Sequence, residues 1–279
     1  MIKILKTVVI ISLLTIMSYF GLITYKHAKN YEAITSQIAT VCDANALASG
    51  KIDALTSIIS FGLVKNKYKT SLLQLKEKQK ISKEKSMLYL YYFMGTLILI
   101  LIFSFTCTLR GAALTLSFST FISLIYGLIN PILMVTIHKN VDYLGDVILS
   151  FESKGIIGSI NKLFQNGETI IAITILLFSI LLPLLKSLTL TFTLLFNQYS
   201  WSRHLVNFFK HIGKWSMIDV FVVATFLVYL TSNGGGISQA EIEVGLYFFL
   251  AYVILSMITT MLTQKVLLQQ EHEVQSTHK

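Results

Sequence analysis

The chain is predicted to fold as an all-α, polytopic transmembrane helical bundle of about six spans. Two observations carry this. Of its 279 residues, 54% are hydrophobic and only 13% charged, whereas a soluble domain carries about 25% charged residues. Apolar stretches of roughly the 20 residues needed to cross a bilayer recur at about 7–25, 87–108, 111–137, 169–196, 216–232 and 244–264.

The first stretch begins "MIKILKTVVIISLLTIMSYFGLITY". Lys3 and Lys6 precede an apolar run too long for a signal-peptide core, and no small-residue cleavage site follows, so an uncleaved signal anchor is expected. Spans one and two should form an N-terminal hairpin, residues 1–110. Its connecting segment, 26–86, holds eleven lysines, five acids and no proline. Apolar residues there recur at three- and four-residue spacing, which predicts helices. The run "KEKQKISKEK" reads first as a solvated helix face.

Orientation follows from the shorter loops. Residues 197–215 carry Arg203, Lys210 and Lys214 and no acid, so they should be cytoplasmic. Residues 138–168 have three lysines against four acids, and 233–243 have Glu241 and Glu243 with no base, so both should face outward. Both termini then lie in the cytoplasm, including a tail at 265–279. The lysine-rich 26–86 segment falls outside, against the positive-inside tendency that only loops beyond roughly 60 residues escape.

The net charge of +9 therefore belongs to loops and anionic headgroups, and no basic, aromatic patch points to nucleic acid. Cys42 and Cys107 form no C-x-x-C pair, and a bridge between them is not expected, because Cys107 falls at a membrane edge. The six histidines all lie in loops or tails. No metal-ligand cluster, phosphate-binding loop or nucleophile with its base is present, so no metal, no cofactor and no enzymatic activity are expected. "NGGG" at 233–236 reads as an external turn.

The only two prolines, Pro131 and Pro183, both sit in apolar spans, where a missing N–H leaves a carbonyl for protein or water to satisfy. Around Pro183, the residues Ser179, Lys186, Thr189 and Thr193 share one helix face with it. In span three, Ser119, Ser123, Tyr126 and Asn130 share another. Hydroxyls at such spacing usually join helices, but a lysine deep in a span needs a cavity or partner. Lys186 should therefore face a polar cleft, bordered by Ser179, Thr189 and the Ser119–Asn130 face. At the doorstep of span five, "KWSMID" matches a capping box, with Ser216 as N-cap and Asp219 as the third helical residue. Trp215 supplies a hydrophobic staple, and Lys214 suits the cytoplasmic side.

"GKWSMIDVFVVA" at 213–224, "LLPLLKSL" at 181–188 and "LINPILMV" at 128–135 resemble the paraquat-inducible protein A family of bacterial inner-membrane proteins. Their order and spacing fit one four-span family unit, 111–264. The resemblance implies a partner of mammalian-cell-entry-type proteins, which form lipid tunnels between two membranes, and a unit that loads or receives phospholipid. It carries over Pro183, Lys186, Trp215, Ser216 and Asp219 as motif positions. Family members typically have two units, each preceded by a zinc ribbon; here a hairpin stands in the ribbon's place. The alternative expectation is an envelope sensor or assembly subunit that binds a protein through residues 26–86.

Overall fold

A computed structural model describes residues 2–41, 67–141, 145–195 and 238–277. Helix α1, Ile2–Val41, runs unbroken through the first apolar stretch and on into the polar segment. No glycine or proline interrupts 26–41, so nothing stops the helix at the membrane edge. At 1.5 Å per residue it is about 60 Å long, roughly twice a hydrocarbon core. Helix α2, Lys67–Ser104, returns beside it. Their polar halves form an arm with a narrow seam: Ala28, Tyr31, Thr35 and Ile38 are buried on α1, facing Ser82 and Ser86 of α2. The Gln79 amide donates to Thr35 Oγ1 (2.8 Å) within this seam. Helices were expected across 26–86; residues 42–66 lie outside the described ones.

A turn at 105–107 leads to α3, Leu109–Ile129, whose start is capped by Thr108 Oγ1 accepting from the Gly111 N–H (3.3 Å). Span three was expected to reach residue 137. It ends eight residues earlier, for a local reason: proline forbids helical geometry to the residue before it. Asn130 accordingly turns extended, at φ −80° and ψ 152°. The chain then enters β1, Leu133–Val141, and β2, Gly145–Lys154, where the end of span three (to 137) and a loop from 138 were expected. They pair antiparallel with a bulge at Ile137/His138, and β3, Ser238–Ile242, pairs with the other edge of β1, giving the order β2-β1-β3. The helical bundle thus carries a small sheet at the arm end.

Helix α4, Ile156–Gln165, precedes the fourth span. That span comprises α5, Thr169–Ile175, a π-helical turn, Leu176–Leu181, and α6, Leu182–Leu195, matching the expected 169–196. Residues 216–232, the expected fifth span, lie outside the described residues. The last helix, α7, Val244–Thr277, continues past the expected end at 264.

Five helices among the described residues are long and apolar enough to cross a membrane. Their outer faces expose Val8, Ile11, Leu22, Ile98, Leu99, Ile102 and Phe192, a surface suited to lipid and not to water. Inside, Phe93, Tyr126 and Phe248 pack with ring centroids 4.6 to 6.3 Å apart, joining α2, α3 and α7. The Tyr126 hydroxyl donates to the Ser18 carbonyl (2.7 Å), which ties α1 to the same point. The hairpin is therefore packed into the bundle.

Candidate functional site

Lys186 sits on α6, nine residues from its end, roughly 14 Å along the axis. It is 6% exposed. Ser179, Pro183 and Thr193 are buried on the same face and Thr189 half-buried, so the expected polar seam is a real buried surface. The Thr193 and Ser187 hydroxyls find no hydrogen-bond partner among the described residues. The helix changes character where this seam passes Pro183. The Leu182 N–H reaches back five residues to the Leu177 carbonyl, and Pro183 lacks the N–H that α-helical geometry would aim at Ser179. Such π turns widen a helix and recur at functional sites.

The second expected seam is also buried: Ser119, Ser123 and Asn130 are fully buried and Tyr126 nearly so. Helix α3 meets α6 through Ser117, whose hydroxyl bonds Thr191 Oγ1 (2.7 Å). Tyr126 follows Ser117 by two and a half helical turns, which puts it on the opposite side of α3, facing α1. On α6, Lys186 precedes Thr191 by five residues, about 140° round the helix, so the two do not share a face, and Thr191 is the one that meets α3. The hydroxyl contact between α3 and α6, Ser117 to Thr191, lies outside both the Lys186 seam and the Ser119–Asn130 face. The Ser119–Asn130 face belongs to the packing of the hairpin. Two of its atoms, Ser123 Oγ and Asn130 Oδ1, have no hydrogen-bond partner among the described residues. Lys214, Trp215, Ser216 and Asp219 lie outside the described residues.

At the opposite end of α6, Arg110 donates from Nε and Nη2 to the Leu194 carbonyl (3.1 and 3.0 Å) and from Nη2 to that of Leu195 (3.2 Å). Arg110 thus places a cation on the carbonyls of the last described turn of α6, where it complements the helix dipole. Arg110 carries no local signal in the sequence, because the carbonyl it caps is 84 residues away.

A charged joint connects arm and sheet. The Glu241 carboxylate of β3 receives the Tyr31 hydroxyl of α1 (3.0 Å) and the Lys83 ammonium of α2. Burial alone would raise Glu241, but the Lys83 hydrogen bond and charge, with Tyr31, hold it below the ordinary carboxylate value. Two residues on, Glu243 lies between β3 and α7, only 2% exposed, with Oε1 unpartnered among the described residues. Burial, with Glu241 and Glu32 nearby, pushes it up to about 7, against the opposing pull of Lys83 and the Val244 N–H. The sequence marked Glu241 and Glu243 only as external charges. Their meeting with an arm from the far end of the chain has no local signal.

Backbone contacts fix this joint. The Glu243 N–H donates to the Ile132 carbonyl and the Gly245 N–H to that of Pro131, both at 2.9 Å. A Cβ at Gly245 would stand 2.5 Å from the Pro131 oxygen, so only glycine allows the approach.

Among the described residues, no three His, Cys, Asp or Glu side chains gather as a metal site. Cys107 is a free thiol directed at the Phe103 carbonyl.

No curated protein and no solved structure matches the chain. The family model described as Paraquat-inducible protein A matches residues 111–273, from the second residue after Leu109 opens α3 to the last turns of α7. That match covers more than half of the chain, takes in Pro183, Lys186 and the capping motif, and excludes the hairpin. With five helices among the described residues long and apolar enough to cross a bilayer, the chain is a multi-pass membrane protein, and it belongs to the paraquat-inducible protein A family.

Proposed function

We propose that the chain is a lipid-handling module of the bacterial inner membrane, a binding protein and not an enzyme. It loads or receives phospholipid together with a mammalian-cell-entry-type tunnel protein. The observation that supports this most is Lys186, a buried cation on a spanning helix, one turn from Pro183 and beside a π-helical turn. A charge at that depth is retained against its desolvation cost when it serves a ligand or pathway. A headgroup phosphate is chemically suited to an ammonium there, whatever protein contacts the ammonium also makes. Lysine binds phosphate as a point charge without a bidentate fork, which suits a ligand that must move on. Ser179 and Thr193 lie about 10 Å along the axis on either side of Lys186, so they extend the polar face into a path along the helix.

Lys186→Met keeps length and apolar packing while removing the charge. The protein purified in mild detergent should elute as the unmutated one does, and its native mass spectrum should show severalfold less bound phospholipid. If the variant folds, keeps its lipid and sustains envelope integrity, the proposal is wrong.

A further inference from the structure

We propose that Glu243 is a proton-binding site that sets how firmly the hairpin arm is held against the four-span domain. The proposal is independent of lipid handling.

The geometry is a joint with one cation too few. Lys83 is committed to Glu241, with Tyr31 on the same carboxylate oxygen. Glu243 follows Ile242, the last residue of β3, and the next residue, Val244, is buried in the same apolar cluster as Ala28 of α1 and Leu90 of α2. The charged and titratable groups near it are Tyr31 and Glu32 from α1, Lys83 from α2 and Glu241 from β3. Lys29 lies against Glu32 at 4.0 Å and brings no free cation closer. The end of α3 and the start of β1 pass by as Asn130, Pro131, Ile132 and Leu133, none of which titrates. An ionised Glu243 would place a third carboxylate against a single committed ammonium, with Oε1 sealed from water. A neutral carboxyl fits that pocket. Ionisation favours parting the arm from the sheet so that water reaches the group.

The titration has the sense this requires. Glu243 rises from 4.5 to about 7 in the closed joint, so its contribution to closure is fully present below 4.5 and is lost as pH rises through 7. Glu241 is shifted the other way, and its contribution is lost only in acid, below the ordinary carboxylate range. The joint is tightest in mild acid, where Glu243 is protonated and Glu241 ionised. Between pH 5.5 and 8.5 the ratio of open to closed arm rises about thirtyfold for a carboxyl that titrates near 4.5 when open and 7 when closed.

The test uses the full chain in lipid nanodiscs, with Cys42 and Cys107 replaced by serine. Spin labels go on Ser36→Cys of the arm and Gly158→Cys of α4, both exposed positions. Electron–electron double resonance should give one narrow distance at pH 5.5 and a second, longer population at pH 8.5. Glu243→Gln, which cannot ionise, should stay narrow at both, whereas Lys83→Met should show the longer population at both. A wild-type joint with the same distances at both pH values overturns the proposal. So does a Glu243→Gln protein that still responds to pH, or a Lys83→Met protein that stays closed.

Discussion

Replacing Gly21 by alanine should loosen the hairpin from the four-span domain. The added Cβ would stand 2.4 Å from Tyr126 Cε2, 2.6 Å from Cδ2 and 2.8 Å from Cζ, all far inside van der Waals contact. A flexible side chain would swing aside, but this ring is held on three sides. Its hydroxyl donates to the Ser18 carbonyl (2.7 Å), and Phe93 and Phe248 pack on it with centroids 6.3 and 5.8 Å away. Overpacking of this kind costs about 1–3 kcal/mol. In lipid, helices gain no hydrophobic drive to associate, so close packing carries much of the interface and the upper half of that range is expected. Tyr126→Ala by itself removes the ring and the hydrogen bond, for about 3–5 kcal/mol. In the Tyr126→Ala protein the clash is gone, so adding Gly21→Ala should cost less than about 0.5 kcal/mol, the scatter expected of uncoupled changes. The coupling in this double-mutant cycle should therefore exceed about 1 kcal/mol. Reversible unfolding in mixed micelles, followed by tryptophan fluorescence, measures all four corners. Equal costs for Gly21→Ala in the two backgrounds would show that the ring is not what Gly21 accommodates, and the packing argument would fail.

At the other end of the bundle, Arg110→Gln should cost about 1–2 kcal/mol by removing its charged hydrogen bonds to the Leu194 and Leu195 carbonyls. Arg110→Lys should recover part of it in the same unfolding assay; no change would mean the Leu194 and Leu195 carbonyls find other donors. Residues 26–86 should lie outside and 197–215 inside. Single cysteines at Ser36 and Ser202, with Cys42 and Cys107 removed, report this to an impermeant thiol reagent, and labelling of Ser202→Cys but not Ser36→Cys in intact spheroplasts would reverse the topology. Ser216→Ala should cost about 1 kcal/mol of helix-start stability, and an unchanged melting curve would remove the capping assignment.

Much of the candidate site was legible because its signals are local. Five of the six expected spans coincide with helices, since a bilayer demands about twenty apolar residues in one run. The seam from Ser179 to Thr193 is buried as its spacing required, because i, i+3 and i+4 positions share a face in any helix. The end of α3 was legible in Asn130–Pro131 but was overruled by the apolar run beyond it. "ILMVTI" suits a buried helix and a buried strand equally, and periodicity alone does not separate them.

Composition and periodicity thus determined on their own that the chain spans membranes, roughly where it does so, and that Lys186 is enclosed. Its motifs pointed to the family that the comparison then showed. Tertiary structure alone decided which neighbour each buried face meets. A seam specifies a face of its own helix but not the direction of its partner: the Ser119–Asn130 face meets α1 through Tyr126, while α3 meets α6 through Ser117, outside that seam. It also decided that β3 joins β1, far from it in sequence, and carries Glu241 to Lys83. Such pairings arise from packing the whole bundle. The burial that makes Glu243 protonatable near neutrality exists only once α1, α2, the sheet and α7 have closed around it.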